Sequence, residues 1–204
     1  IRDRIKTGGK EIIYESSFLI LETPNLALSF GVDGMSGILI LLTLVVTFCA
    51  VQVSPEKGPD GKEKLFHISS MLISAGALGA FGATDMFFMF AFHELALIPT
   101  FLMIAIYGHG RDKVAIAWKI TIYLGLGSLV LLGGLIALYS NLQGSGNPTF
   151  NIAELTDLAQ SHPISESLQK WIFLSVFLGF GILVSLFPFH SWAAPAYAAA
   201  PTPT

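Results

Sequence analysis

Gly34–Val53 reads GMSGILILLTLVVTFCAVQV, a run without one charged side chain. Wound as a helix it is ~30 Å long, the thickness of a bilayer's hydrocarbon core. In that setting every backbone polar group must be satisfied within the segment, which a helix does and an irregular chain does not. Further segments of the same character follow at 67–84, 86–107, 114–139 and 168–187. The chain therefore reads as all-α, a polytopic transmembrane helix bundle of five spans. Its membrane region is 34–204, and 1–33 is an extramembrane segment.

Composition agrees. Hydrophobic residues make up 53% and charged residues 12% of the chain, against ~25% charged in soluble domains, too few to solvate a surface. The charges that exist gather between the spans, as in Arg111, Asp112 and Lys113. A net charge of -3 excludes nucleic acid and a polybasic membrane-surface role. The single cysteine, Cys49, lies inside the first span, which excludes a disulfide framework and a CxxC metal site. It reads as a small, inert, buried side chain, and no metal site is expected. The chain begins Ile1-Arg2-Asp3-Arg4 and ends on a Pro-rich stretch. Both ends read as cuts, so a piece of a longer protein is expected.

Between the spans, turn formers mark the boundaries. Glu11–Leu21 and Asn25–Phe30 are β-prone runs around Glu22-Thr23-Pro24-Asn25, either a β-hairpin outside the membrane or an irregular loop. Pro55, Gly58, Pro59 and Gly61 stop the first helix. The second span carries Gly76, Gly79 and Gly82 among alanines, which suits close approach of neighbouring helices. Residues 140–167 form a loop in which Asn151–Gln160 reads as a short surface helix. Pro188 ends the fifth span and opens a broken helix, because Pro195, Pro201 and Pro203 forbid a continuous one. Basic residues set the orientation. Lys57, Lys62 and Lys64 lie in one loop and Arg111 and Lys113 in another, while the turn at Asp85 and the 140–167 loop have none. The two basic loops face the cytoplasm.

Ionisable groups inside spans cost about 2.5–3.5 kcal/mol each at a helix centre, so each needs a reason. Glu94 stands roughly 12 Å into the third span, too deep for its short side chain to reach water. Either desolvation keeps it protonated, or it faces a partner or a water-filled cavity. A carboxyl able to change between those conditions carries protons; the alternative is a structural, permanently neutral or paired glutamate. Pro99, five residues on, frees the Leu95 carbonyl, which either opens the helix to water or merely kinks it. Lys119, the sixth residue of the fourth span, either snorkels to the cytoplasmic boundary or relays protons. It lies roughly 12 Å from Glu94 along the membrane normal, so a direct ion pair is not expected. His93 projects about 100° round the helix from Glu94 and reads as a helix-contact histidine. His190 follows the helix-breaking Pro188, where a titrating relay and a packed side chain are equally supported. Trp171 and Trp192 read as interfacial or packing aromatics.

Several strings resemble one family. Gly31-Val32-Asp33-Gly34-Met35-Ser36 is similar to the GVDG(I/L)S of the antiporter-like subunits of respiratory complex I, subunit M or chain 4 above all. Asp85-Met86-Phe87-Phe88 leading to Glu94, the WKITIY around Lys119, and Phe187-Pro188-Phe189-His190-Ser191-Trp192 resemble it too. The resemblance spans 31–204. It implies a proton-translocating membrane-arm subunit of NADH:quinone oxidoreductase, with Glu94 and Lys119 in the proton pathway. It also implies that this chain binds no cofactor itself: NADH, FMN, iron–sulfur clusters and quinone belong to partner subunits. The implied partners are other membrane-arm subunits of complex I and the lipid bilayer, and the implied location is a bacterial inner membrane. The chain departs in two places. Ala194-Pro195-Ala196-Tyr197 replace the family's Pro-Asp-Ala-His after Trp192. Leu183 stands where the family has a lysine that pairs with the glutamate. Rival readings are a subunit of a multisubunit Na+/H+ antiporter or membrane-bound hydrogenase, and a non-conducting membrane scaffold.

Overall fold

The computed structural model describes residues 6–7, 10–11, 14–21, 26–53, 61, 63–142 and 149–202. The first cluster of turn formers, Pro55, Gly58 and Pro59, lies outside them, as do Lys57, Lys62, the expected turn formers at 22–25 and Pro203.

The helices are α1 (Gly34–Val53), α2 (Glu63–Gly82), α3 (Met86–Leu95), α4 (Leu97–Tyr107), α5 (Lys113–Leu142), α6 (Ile152–Ser161), α7 (Glu166–Leu183) and α8 (Ala193–Ala199). With α3 and α4 taken together, five segments have the length and apolarity to cross a bilayer. The protein is a multi-pass integral membrane protein. Ahead of them a short β1 (Lys6–Thr7) pairs with β2 (Lys10–Glu11). The longer β3 (Tyr14–Leu21) pairs antiparallel with β4 (Leu26–Val32), Ser17 opposite Ser29. The hairpin alternative is the one the chain adopts.

The GVDGMS string has a local physical role. Ser36 N–H donates to Asp33 Oδ1 at 2.7 Å and Asp33 N–H donates to Ser36 Oγ at 2.8 Å. This reciprocal box satisfies donors that the first turn of α1 leaves open. Asp85 does the same for α3. It is 2% exposed, and its Oδ1 accepts from Phe87 N–H at 2.9 Å and Phe88 N–H at 3.1 Å. Burial pushes the Asp85 carboxyl up from its ordinary range, with those two backbone bonds pulling the other way. Around it three segments knit together: Thr84 N–H donates to Ser29 O, Met86 N–H to Phe150 O, and Ile152 N–H to Thr84 O. Asn151 then caps α6 through Ala153 N–H at 2.9 Å.

Helix packing follows side-chain bulk. On α2, Gly79 lets the Phe92 ring of α3 lie against bare backbone; a Cβ there would sit 2.4 Å from it. On α7, Gly179 admits α5 in the same way, a Cβ there falling 2.6 Å from that of Leu131. The α5–α7 pair is the most extensive helix contact. By contrast α1 buries none of its residues and meets α2 through Thr47 Oγ1, which donates to Ser74 Oγ at 2.8 Å. The core has two centres. One joins Ile104, Ala117 and Ile120 to Trp192, Ala193, Ala196 and Ala199, and so seats α8 on α4 and α5. The other, at the opposite end of α5, gathers Met86, Leu131, Leu135, Leu142 and Leu155.

Two interruptions matter for function. The third span is divided at Ala96, where Ala96 N–H bonds to His93 O at 3.3 Å and Thr100 Oγ1 donates to Ala96 O at 2.7 Å. Pro99 has no N–H to give the Leu95 carbonyl, so the ladder changes there. The fifth span, expected to run to Phe187, stops at Leu183. The stop is a Schellman turn: Leu186 N–H reaches back to Gly181 O at 2.7 Å and Ser185 N–H to Ile182 O at 3.2 Å. Ser185 takes the left-handed conformation at φ 56, a place usually left to glycine. A single 3-10 turn, Phe189–Trp192, then leads into α8.

Candidate functional site

The candidate residues fall into two groups, one at each interruption. Glu94 is the penultimate residue of α3, just ahead of the break at Ala96. His93 Nδ1 lies 3.4 Å from Glu94 Oε1, with the side chains 43% and 30% exposed in this chain. The histidine read from its helical position as a separate contact thus turns towards the carboxylate. Two long side chains bridge a 100° step that their Cβ atoms do not. Such a pair lets a proton or a charge be shared between carboxylate and imidazole.

The second group is built on α5 and the 3-10 turn. Lys119 Nζ donates to the Ser191 carbonyl at 2.8 Å and stands 5.9 Å from the centre of the Tyr123 ring. Ser191 Oγ donates to the Tyr123 hydroxyl at 3.0 Å. Lys119 is therefore tied to the broken helix. His190, the residue before Ser191, is exposed and stacks on Phe187, ring centres 5.5 Å apart. The turn itself is fixed by Trp192, whose Nε1–H donates to Ile182 O at 3.1 Å. That carbonyl also accepts from Ser185 N–H, so the same tryptophan joins the closing turn of α7 to the start of α8.

The two groups do not touch. Among the described residues no hydrogen bond or ion pair links Glu94 to Lys119. The ring of Phe101 on α4 packs on that of Trp118 on α5, centres 5.1 Å apart. Glu94, seven residues before Phe101, therefore lies roughly 10 Å along the bundle from Lys119. Leu183, which replaces the lysine of the resemblance, is partly buried and packs against the second core centre. Tyr123 and Ser191 escaped the sequence reading. Their only signals were the four-residue spacing of Lys119 and Tyr123 and the position of Ser191 beside His190.

Comparison with known proteins bears on this arrangement. The family described as NADH:quinone oxidoreductase/Mrp antiporter, transmembrane, matches residues 83–204. NADH-quinone oxidoreductase subunit M of Escherichia coli (strain K12) is 31% identical over 196 residues, 93% of this chain and 38% of that protein. The F(420)H(2) dehydrogenase subunit M of Methanosarcina mazei is 35% identical over 176 residues, 85% of this chain and 35% of that protein. A chain of respiratory complex I from Thermus thermophilus with bound NADH superposes with a TM-score of 0.76 at 27% identity, covering 96% of this chain and 39% of its own. This chain thus spans less than two fifths of the length of these curated relatives. A match from residue 83 to the end, across α3 to α8, takes in both groups of site residues. The chain belongs to the NADH:quinone oxidoreductase/Mrp antiporter transmembrane family.

Proposed function

We propose that this chain is the core of a membrane-arm subunit of a proton-translocating NADH:quinone oxidoreductase, in a bacterial inner membrane, with Glu94, Lys119 and His190 handling the proton. In this reading NADH, FMN, iron–sulfur clusters and quinone sit on partner subunits, and other membrane-arm subunits flank the chain. The observation that carries it is the tether of Lys119 to the Ser191 carbonyl, which puts a cation from one helix against the interruption of another. Interrupted helices at membrane depth are tolerated where they are buried or line a cavity. An ionisable side chain held there is a functional residue by default.

The chemistry is acid–base exchange. Glu94 accepts a proton beside His93 at the α3–α4 interruption, where the Leu95 carbonyl freed by Pro99 offers water an acceptor. Lys119 holds a proton against the Ser191 carbonyl, and His190 stands next along the chain. Moving one unit charge across the membrane is worth about 2.3 kcal/mol per 100 mV. Protonation of either group is therefore coupled to the field and to neighbouring charges. Glu94→Gln keeps size and removes the titratable proton. In the assembled complex it is expected to leave assembly intact and to lower coupled activity sharply, with Glu94→Asp retaining part. Parental pumping by the Gln variant would sink the proposal. A second reading, a scaffold that no longer conducts, draws on Leu183 and would then take first place.

A further inference from the structure

We infer that the hydroxyls of Tyr123 and Ser191 position Lys119, as a latch between α5 and the 3-10 turn; the inference rests on the reading of Lys119 as a proton-handling group. Lys119 and Tyr123 are four residues apart on α5, and so share one face. Ser191 meets both with different atoms. Its carbonyl accepts from Lys119 Nζ at 2.8 Å, and its hydroxyl donates to the Tyr123 hydroxyl at 3.0 Å. The ammonium also lies 5.9 Å from the Tyr123 ring centre, at the edge of the ~6 Å range in which a ring face attracts a cation. The next residue, Trp192, is bonded to α7 through Ile182 O. The Ser191 peptide is therefore held from two sides, and the acceptor offered to Lys119 has a fixed direction.

Among the described residues no carboxylate is hydrogen-bonded or ion-paired to Lys119, so the direction of that acceptor bears on its charge. The sequences of α4, the 3-10 turn and α8 contain no Asp or Glu. Their ionisable side chains are Tyr107, His190 and Tyr197. On the other elements packed against α5, Glu166 and Lys170 of α7 and Glu154 and Asp157 of α6 lie at the opposite end of the bundle, and His93 and Glu94 of α3 form the separate first group. A carbonyl dipole and a ring face are thus the supports of the ammonium. A hydrogen bond to the charged form favours that form. Loss of either hydroxyl lets the Ser191 peptide turn and weakens the support, although neither hydroxyl touches Nζ.

The test uses the complete subunit in its assembled complex, in inverted membrane vesicles. Tyr123→Phe and Ser191→Ala are each expected to slow proton translocation about three- to tenfold, the worth of one hydrogen bond. The pH profile of translocation should change in both. The double variant should be no slower than either single one, since both cut the same link. Thr121→Val, on the same helix but bonded only to Ala117 O, should leave rate and profile unchanged. If Ser191→Ala assembles poorly, Tyr123→Phe carries the test alone. Parental rate and profile in Tyr123→Phe, or additive losses in the double variant, would overturn the latch. Lys119→Ala separates the two layers. If it pumps at the parental rate, the role of Lys119 falls and the latch with it; if it fails while Tyr123→Phe does not, the latch alone is wrong.

Discussion

Asp85 offers a measurement of how firmly the helix bearing Glu94 is started. Its Oδ1 accepts from two N–H groups of the first turn of α3, at 2.9 and 3.1 Å, and the residue is 2% exposed. Replacing such a cap by alanine costs ~1–2 kcal/mol, a factor of about 5–30 in the opening equilibrium. Asp85→Ala should therefore speed hydrogen exchange at the Phe87 and Phe88 amides by about that factor. Asparagine caps as well as aspartate, so Asp85→Asn should exchange like the parent near the acid end of the range. The pH dependence separates them further. Because burial raises the Asp85 carboxyl, the folded state binds its proton more tightly than the unfolded chain. The contribution is fully present below the unfolded carboxyl range and is lost as pH rises through the raised value. Protection in the parent should fall over that window, and protection in Asp85→Asn should not. Exchange measured by mass spectrometry on the purified protein in nanodiscs reads all three. Parental protection in Asp85→Ala, or equal damage from Ala and Asn, would refute the capping account.

Other substitutions probe packing, backbone and topology. Gly79→Leu drives a side chain into the Phe92 ring, whose atoms a Cβ already meets at 2.4 Å. It should cost at least the ~1–3 kcal/mol of an overpacked core, and an unchanged thermal melt would contradict the close α2–α3 approach. Ser185→Gly relieves a left-handed residue at φ 56 and should stabilise by ~1 kcal/mol, with Ser185→Val moving the melt the other way. For topology, cysteines at Arg111 and Glu154, both exposed, should react with an impermeant thiol reagent from opposite faces in a Cys49→Ser background. Arg111 should label from the cytoplasmic face, and labelling of both from one side would overturn the five-span count.

What the sequence made legible is what depends on local composition. The uncharged run from Gly34 to Val53 and its four successors announce themselves, since a bilayer tolerates little else. Pro99 likewise signals a disturbance in the third span, though not that it falls at Ala96. The end of the fifth helix was hidden. Residues 184–187 are as apolar as those before them, and the stop is made by a serine in a conformation that sequence assigns to glycine. The candidate site was half visible. Glu94, Lys119 and His190 stand out as ionisable groups in apolar surroundings, whereas the meeting of Tyr123 with Ser191 joins residues 68 apart in the chain. Nothing local encodes that encounter; it follows from α7 packing on α5 and then stopping early. The capping role of Asp33 and Ser36 gives those two residues of the GVDGMS string a local structural purpose.

The interval between the two groups of site residues sets a requirement on any conductor through them. Roughly 10 Å is too far for a proton to hop between side chains, and corresponds to about three waters in single file at hydrogen-bond spacing. In that interval α4 offers one polar side chain, Thr100, whose hydroxyl hydrogen is already given to the Ala96 carbonyl at 2.7 Å. Its oxygen is left as an acceptor. Across from it α5 adds Thr121 and Tyr123, so a file of water there would lean on a few polar side chains among largely apolar ones. A conductor through this interval would therefore meet the Thr100 oxygen as an acceptor at the helix interruption by Ala96.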